Sequence, residues 1–282
     1  MSKKHNIHMV SDSTGETVNS VMRSVMSQFD KVDVVEHNWS LVRTIGQMER
    51  VLDEISKDPG PVLFTIIDRD MQAALIKRCR KLHLPCIPVL QRVTRDLSNY
   101  FGVEAKAKPG RQYELDEDYF DKVDAIHYTL AHDDGQELET IHEADIVLVG
   151  ASRTSKTPTC VYLSYKGINV ANVPFVNGID LPQELFELPK NVFVIGLVIS
   201  PDRLGQIRKS RLLSLNEDRT TDYVDEQSIL DEVRESRKIF NKNGWPTIDV
   251  TRKSVEESSA NIIQLYEKHL AKIRNKEENN NE

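Results

Sequence analysis

The sequence predicts an α/β protein made of two parallel-sheet units. Three observations lead there. Short apolar runs alternate with segments of helical periodicity in both halves of the chain. Two of the runs, PVLFTIID and DIVLVG, are nearly continuous in apolar residues, as strands covered on both faces are. A polar stretch over residues 105–144 parts the halves and has no strand rhythm.

The elements follow in order. NIHMVSD reads as a strand. TGETVNSVMRSVMSQF follows as a helix, with Val18, Val21, Met22, Val25 and Met26 at helical spacing. VDVVEHNW and TIGQMERVLDEIS repeat the pair. PVLFTIID leads to the helix RDMQAALIKRCRKLH, which ends before Pro85, and CIPVLQ is a further strand. Strands joined through helices in this way run parallel. The stretch at 105–144 reads as a helical connector. DIVLVG then restarts the alternation, with TPTCVYLSYKG a helix closing on glycine. INVANVPF, NVFVIGLVIS and PTIDVT are three more strand candidates. SVEESSANIIQLYEKHLAKI is a long last helix, with Ser254 placed to cap it and Glu257 three residues on. The expected domains are 1–104 (N-terminal α/β), 105–144 (connector) and 145–275 (nucleotide-binding). Residues 276–282, KEENNNE, are expected to form a disordered tail.

Composition narrows the class. With 29% charged and 39% hydrophobic residues, the chain of 282 has the make-up of a soluble globular protein. The net charge of -7 argues against general nucleic-acid or membrane-surface binding. Cys79, Cys86 and Cys160 fit neither a disulfide framework nor zinc-site spacing, which points to a reducing compartment. The N-terminus has no long apolar region, and the longest apolar run, VFVIGLVI, is too short to span a bilayer. A cytoplasmic protein with no nucleic-acid or membrane partner is expected.

The chemistry gathers in DIVLVGASRTSKTPT, residues 145–159. A phosphate-binding loop has Gly, four residues, Gly, Lys, then Ser or Thr. Gly150, Lys156 and Thr157 stand in place, and Ser155 replaces the second glycine. Gly150 permits a tight turn with unusual dihedrals. The following N–H groups and the helix N-terminus cradle phosphate oxygens. Lys156 would reach the terminal phosphates and Thr157 would place its hydroxyl on a magnesium ion. A purely structural turn is the competing reading, which the strand before and the helix after disfavour. This half therefore resembles a P-loop kinase. Arg203, Arg208 and Arg211 in SPDRLGQIRKSRLLSL could clamp phosphates, and Arg208 and Arg211 would share a helix face. A solvated basic face is the alternative.

In the first half SDSTGET sits at the carboxyl end of the first strand, where ligands of open α/β sheets collect. Asp12 could be a base or metal ligand. Ser13, Thr14 and Gly15 could bind an anion, or simply begin a helix. Asp68 is similarly placed. Asp133 and Asp134 in HDDG are an acidic pair whose plain reading is a turn, and His127 and His132 could each be a base or a ligand, or ordinary surface histidines.

Taken together, SDSTGET, PGRQYELDEDYF, AIHYTLAHDDG, VGASRTSKTPT, YKGINVANVPF and GLVISPDRLGQIRKSRL resemble one family, in order over nearly the whole chain. It is the pyruvate, phosphate dikinase regulatory protein family, which includes the phosphoenolpyruvate synthase regulators. Its loop reads Gly, two variable residues, then Arg-Thr-Ser-Lys-Thr-Pro. Ala151 and Ser152 fill the variable positions, and Ser155 is the family's own choice. The resemblance implies a bifunctional enzyme. One activity is an ADP-dependent kinase that inactivates the dikinase, by phosphorylating a threonine near its catalytic histidine when that histidine is phosphorylated. The other activity removes the group with inorganic phosphate and releases pyrophosphate. The resemblance places the nucleotide on Gly150, Ala151, Ser152, Arg153, Thr154, Ser155, Lys156 and Thr157.

The chain has neither H-R-D nor D-F-G, so the chemistry differs from that of ordinary protein kinases. Asp12 is the expected base. Lys156, Arg153 and one of Arg203, Arg208 and Arg211 are expected to hold the attacking phosphate. ADP, inorganic phosphate and magnesium are the implied co-substrates and cofactor. The dikinase or the synthase is the implied partner, and a homo-oligomer is compatible. A small-molecule P-loop kinase and a non-catalytic nucleotide-binding regulator are the two alternatives.

Overall fold

Every predicted strand run forms a β-strand, the central runs covered on both faces and the edge runs Asp33–Trp39 and Cys86–Pro88 burying none of their residues. The computed structural model describes residues 4–106, 117–214 and 223–280. It divides into two compact units, Met1–Glu114 and Leu115–Glu282.

In the first unit, β1 (Lys4–Ser11), β2 (Asp33–Trp39), β3 (Val62–Thr65) and β4 (Cys86–Pro88) make a sheet in the order β2-β1-β3-β4. All three pairings are parallel. The crossovers are α1 (Glu16–Met26), α2 (Ile45–Lys57) and α3 (Arg69–Lys81). Side chains alternate across the sheet. Ile7, Met9 and Leu63 meet Val18 and Met22 of α1 on one face. Val10, Val62 and Phe64 meet α2 and α3 on the other, through Met48, Val51, Ile55, Met71 and Leu75. Thr44 and Gln47 form a reciprocal capping box at α2. Asp68 caps α3 by accepting the Met71 N–H at 2.9 Å, which accounts for an acid at that strand end. A helix that the sequence reading did not include, α4 (Gln91–Phe101), buries none of its residues.

The second unit begins with α5 (Glu117–Ala131) and two 3-10 turns, Asp133–Gly135 and Leu138–Glu143. Its strands are β5 (Ile146–Ala151), β6 (Val170–Phe175), β7 (Phe193–Val198) and β8 (Thr247–Asp249). They pair in parallel in the order β6-β5-β7-β8. The helices are α6 (Lys156–Ser164), α7 (Pro201–Ser214), α8 (Glu226–Lys242) and α9 (Val255–Asn280). Ile146 and Leu148 of β5 pack with Leu163 of α6 and Ile262 of α9, while Val147 and Val149 pack with Ile141 and Phe240. Gly196 of β7 is required by this packing, since a Cβ there would run into the Phe240 ring.

Three boundaries differ from the sequence reading. Residues 117–143 belong to the second unit, where Ile141 is buried and Tyr128 and Leu138 pack against the core. Helix α9 runs to Asn280, through residues expected to be disordered. Lysine and glutamate are good helix formers and extend a helix already anchored by its capping box, Ser254 N–H to Glu257 at 2.9 Å and Glu257 N–H to Ser254 Oγ at 3.1 Å. Helix α8 lies in a stretch where no element was expected. PGRQYELD of the connector and the last two tail residues lie outside the described residues. No helix among the described residues is long and apolar enough to cross a membrane. Cys79, Cys86 and Cys160 are free.

The two sheets share one strand order. In each, the unit's first strand lies between its second and third, so the topology reverses there. The turns after β1 and β5 both open at such a switch point, the ligand position of open α/β sheets.

Candidate active site

The turn after β5 carries Gly150–Thr157, the residues the sequence pattern assigns to phosphate. Gly150 is required for space rather than for its dihedrals: a Cβ there would stand 2.8 Å from the Leu197 carbonyl oxygen and 2.9 Å from the Thr154 hydroxyl. The unusual backbone falls later in the turn. Arg153 has φ of 75° and Ser155 φ of 60°, both left-handed. Ser155 thus adopts the conformation that glycine adopts more easily. It is the N-cap of α6, and its side chain makes no capping bond. The N–H groups of the first helical turn have no intrahelical acceptor, and the positive end of the helix dipole favours an anion there.

Two side chains converge on one carbonyl inside the loop. The Thr154 hydroxyl donates to the Ala151 oxygen at 2.8 Å, and Lys156 Nζ donates to the same oxygen at 3.0 Å. Lys156 is only 6% exposed. Burial pulls its ammonium down to about 8, against the opposing charges of Asp134, Asp133 and Glu232. A buried cation of this kind gains from an anion brought against it, which would offset the lost solvation.

The acidic turn of the old connector completes the site. The Thr157 hydroxyl donates to the Asp133 carboxylate at 3.0 Å, and Asn172 Nδ2 donates to that carboxylate as well as to Thr157 Oγ1 at 3.1 Å. Asp134, the next residue, is exposed and held at φ 55°, ψ 36°. Aspartate enters left-handed backbone more readily than most non-glycine residues, and packing around the turn holds it there. His132 supplies part of that constraint. It is buried, its carbonyl takes the Asn172 N–H at 2.9 Å, and its ring bonds the Tyr128 carbonyl and the Thr140 hydroxyl, each at 2.8 Å. HDDG is therefore a turn, as its sequence suggests, and also part of the site. His127 is exposed on α5.

The predicted arginines separate. Arg153 is exposed, with Nε on the Tyr223 hydroxyl at 3.1 Å. Arg203 and Arg211 are exposed on α7. Arg208 does not share their face. It is 3% exposed and paired with Glu232 at 2.7 Å. The expected open clamp at Arg208 gives way to a buried ion pair, because position 208 lies one turn after buried Leu204 and faces α8.

In the first unit, Asp12 is 3% exposed. Its Oδ2 accepts the Ile67 N–H at 2.6 Å, and its own carbonyl accepts from Arg43 Nε at 2.9 Å. Burial pushes its carboxyl up. It lines a cavity of about 550 Å3 at the carboxyl edge of the sheet, with Ser13, Thr14, Gly15, Phe64 and Ile66. Gly15, at φ 83°, is the N-cap of α1 and stands directly before the helix as Ser155 does before α6. The next residue is Glu16 in one turn and Lys156 in the other, so the cation belongs to the second unit's turn alone. Among the described residues, no three His, Cys, Asp or Glu side chains group as a metal site.

A family model described as kinase/pyrophosphorylase matches residues 7–263. The chain belongs to the kinase/pyrophosphorylase family. A protein of Paramagnetospirillum magneticum is 50% identical over 96% of this chain and 86% of its own length. One from Caulobacter vibrioides is 48% identical over 95% and 84%, and one from Erythrobacter litoralis 46% identical over 96% and 98%. All three carry the name pyruvate, phosphate dikinase regulatory protein. The membership agrees with the resemblance in the motifs. A solved ornithine carbamoyltransferase from Coccidioides immitis aligns at 9% identity over 90% of this chain and 73% of its own, with a TM-score of 0.24, too low to bear on the kinase/pyrophosphorylase fold.

Proposed function

We propose that the protein controls pyruvate, phosphate dikinase by reversible threonine phosphorylation. ADP is the donor in one direction and inorganic phosphate the acceptor in the other. The relatives' names suggest the target, and the family description suggests the pair of reactions. One observation carries the chemistry: a buried lysine in a phosphate loop, with the Asp133-Asp134 turn anchored on that loop through Thr157.

In the forward direction ADP phosphates lie over Gly150–Thr157. The target threonine oxygen attacks the β-phosphorus, the bond to the α-phosphate oxygen breaks, and AMP leaves. Asp134 takes the threonine proton. Asp133 is occupied by Thr157 and Asn172, whereas Asp134 is exposed. Lys156 and the α6 N-terminus stabilise charge on the transferring group. Arg153 leaves Tyr223 to reach it. In the reverse direction a phosphate oxygen attacks the phosphothreonine phosphorus. The threonine oxygen leaves, takes a proton from Asp134, and pyrophosphate is the product. One carboxylate thus serves as base and acid.

Asp12 receives no such role, because its carboxylate fastens the β3–α3 turn. The Thr157 hydroxyl and the Asp133 carboxylate, 3.0 Å apart, suit a hard cation such as magnesium. When bound, it would neutralise phosphate charge.

The test uses ADP labelled in its β-phosphate, with the dikinase as acceptor. Label on a dikinase threonine, with AMP formed, supports the reading. Label on a small metabolite, or nucleotide binding without transfer, overturns it in favour of a metabolite kinase or a non-catalytic regulator.

A further inference from the structure

Arg208 lies outside the catalytic groups and is almost fully enclosed. Its guanidinium forks onto Glu232 of α8, Nη1 to Oε2 at 2.7 Å and Nη2 to Oε1 at 3.0 Å. The same two nitrogens reach the loop and the segment leading into α8: Nη2 donates to the Ser152 carbonyl at 3.2 Å and Nη1 to the Tyr223 carbonyl at 3.3 Å. The guanidinium also lies 4.5 Å from the centre of the Tyr223 ring, whose hydroxyl meets Arg153 Nε at 3.1 Å. One buried cation therefore joins α7, α8, the loop backbone and the rest position of Arg153.

We infer that Arg208 is the positioning residue that holds the loop in its phosphate-binding form, an inference that rests on the phosphate-site reading above. Two physical consequences support it. A trans peptide places its C=O and N–H on opposite sides. Fixing the Ser152 carbonyl toward Arg208 therefore turns the Arg153 N–H the other way, away from the buried pair. Glu232 is also close enough for its charge to act on Lys156. With Arg208 gone, a buried unpaired carboxylate would face a site meant for phosphates. The bidentate fork matters, because a lysine supplies charge but cannot grip Glu232 and two carbonyls in one plane.

The experiment measures ADP binding by calorimetry and steady-state transfer for three proteins. They are the wild type, R208K, and the pair replacement Arg208→Met with Glu232→Leu, which removes both charges and restores an apolar fit. The inference predicts a KM and Kd for ADP about tenfold higher in both variants, with kcat at saturating ADP near wild type. Loss of folded protein lowers the active fraction and hence apparent kcat, but leaves KM unchanged. A variant with wild-type Kd and KM would overturn the inference. A wild-type protein that binds no ADP would instead defeat the reading of the loop on which it rests.

Discussion

Replacing Lys156 with methionine should stabilise the ligand-free protein while removing its phosphate site. The side chain is 6% exposed, and burial lowers its pKa from lysine's ordinary 10.5 to about 8. That difference corresponds to about 3 kcal/mol of unfavourable charge burial. Its pH window follows from linkage. Between the two values the unfolded chain holds the proton and the folded chain does not, so folded stability rises with pH through that range. The deficit is present in full below about pH 8 and is gone above about 10.5. Urea melts of wild type and K156M near neutrality should therefore show the variant more stable, by up to about 3 kcal/mol. Most of that gap should close by about pH 10. A gap of the same size at both pH values would show that no buried Lys156 charge underlies it, because only a titrating charge makes it close. On the proposed function, ADP affinity should fall in step, about tenfold per pH unit above 8, as the Lys156 ammonium is lost.

Three other outcomes follow from the same geometry. Asp134→Asn should slow transfer in both directions by about a hundredfold or more while ADP still binds, and equal turnover in a label-transfer assay would remove Asp134 from the mechanism. Ser155→Gly should raise stability by about 1 kcal/mol in a denaturant melt, since glycine takes the left-handed conformation without penalty, and a loss would mean that the serine side chain is needed there. The third concerns His8, which is fully buried, with its Nε2 on the Asp58 carbonyl at 2.8 Å and its Nδ1 accepting from Trp39 Nε1 at 3.2 Å. That arrangement is the neutral ring, and burial, helped by His37 stacked at 4.5 Å, keeps its pKa low. Stability is then complete above the unfolded value of about 6.5 and lost as pH falls below it. Trp39 fluorescence melts should show that acid limb, and a His8→Gln protein should lack it.

Strands were legible in the sequence because burial on both faces leaves a local mark, as in IVLVGA of β5 and VLFT of β3. The loop was legible because Gly150, Lys156 and Thr157 are close in sequence. The left-handed conformation of Ser155 answers the departure from the usual pattern, since the backbone there is the one glycine supplies. Helix α4 had a visible signal in Val93, Leu97, Tyr100 and Phe101, but the residues bury nothing, so packing did not reinforce it. Helix α8 had Asp225 as its cap, and Ile229 and Val233 at helical spacing. The site's partners were not legible. Asp133 reaches Thr157 across 24 residues, and Arg208 reaches Glu232 across another 24. Such pairings depend on how strands are ordered in the sheet, which no local pattern encodes. Asp12 shows the same limit: the sequence places an acid at a strand end but carries no sign that it accepts the Ile67 N–H from the neighbouring strand's turn.

In the proposed mechanism one loop runs transfer in both directions, with phosphate rather than water as the attacking group in the second. The most direct measurement starts with dikinase carrying labelled phosphothreonine, incubated with this protein and unlabelled inorganic phosphate. Labelled pyrophosphate, competition by ADP, and no release when phosphate is omitted are expected. Labelled orthophosphate released without added phosphate would show hydrolysis by water and contradict this mechanism.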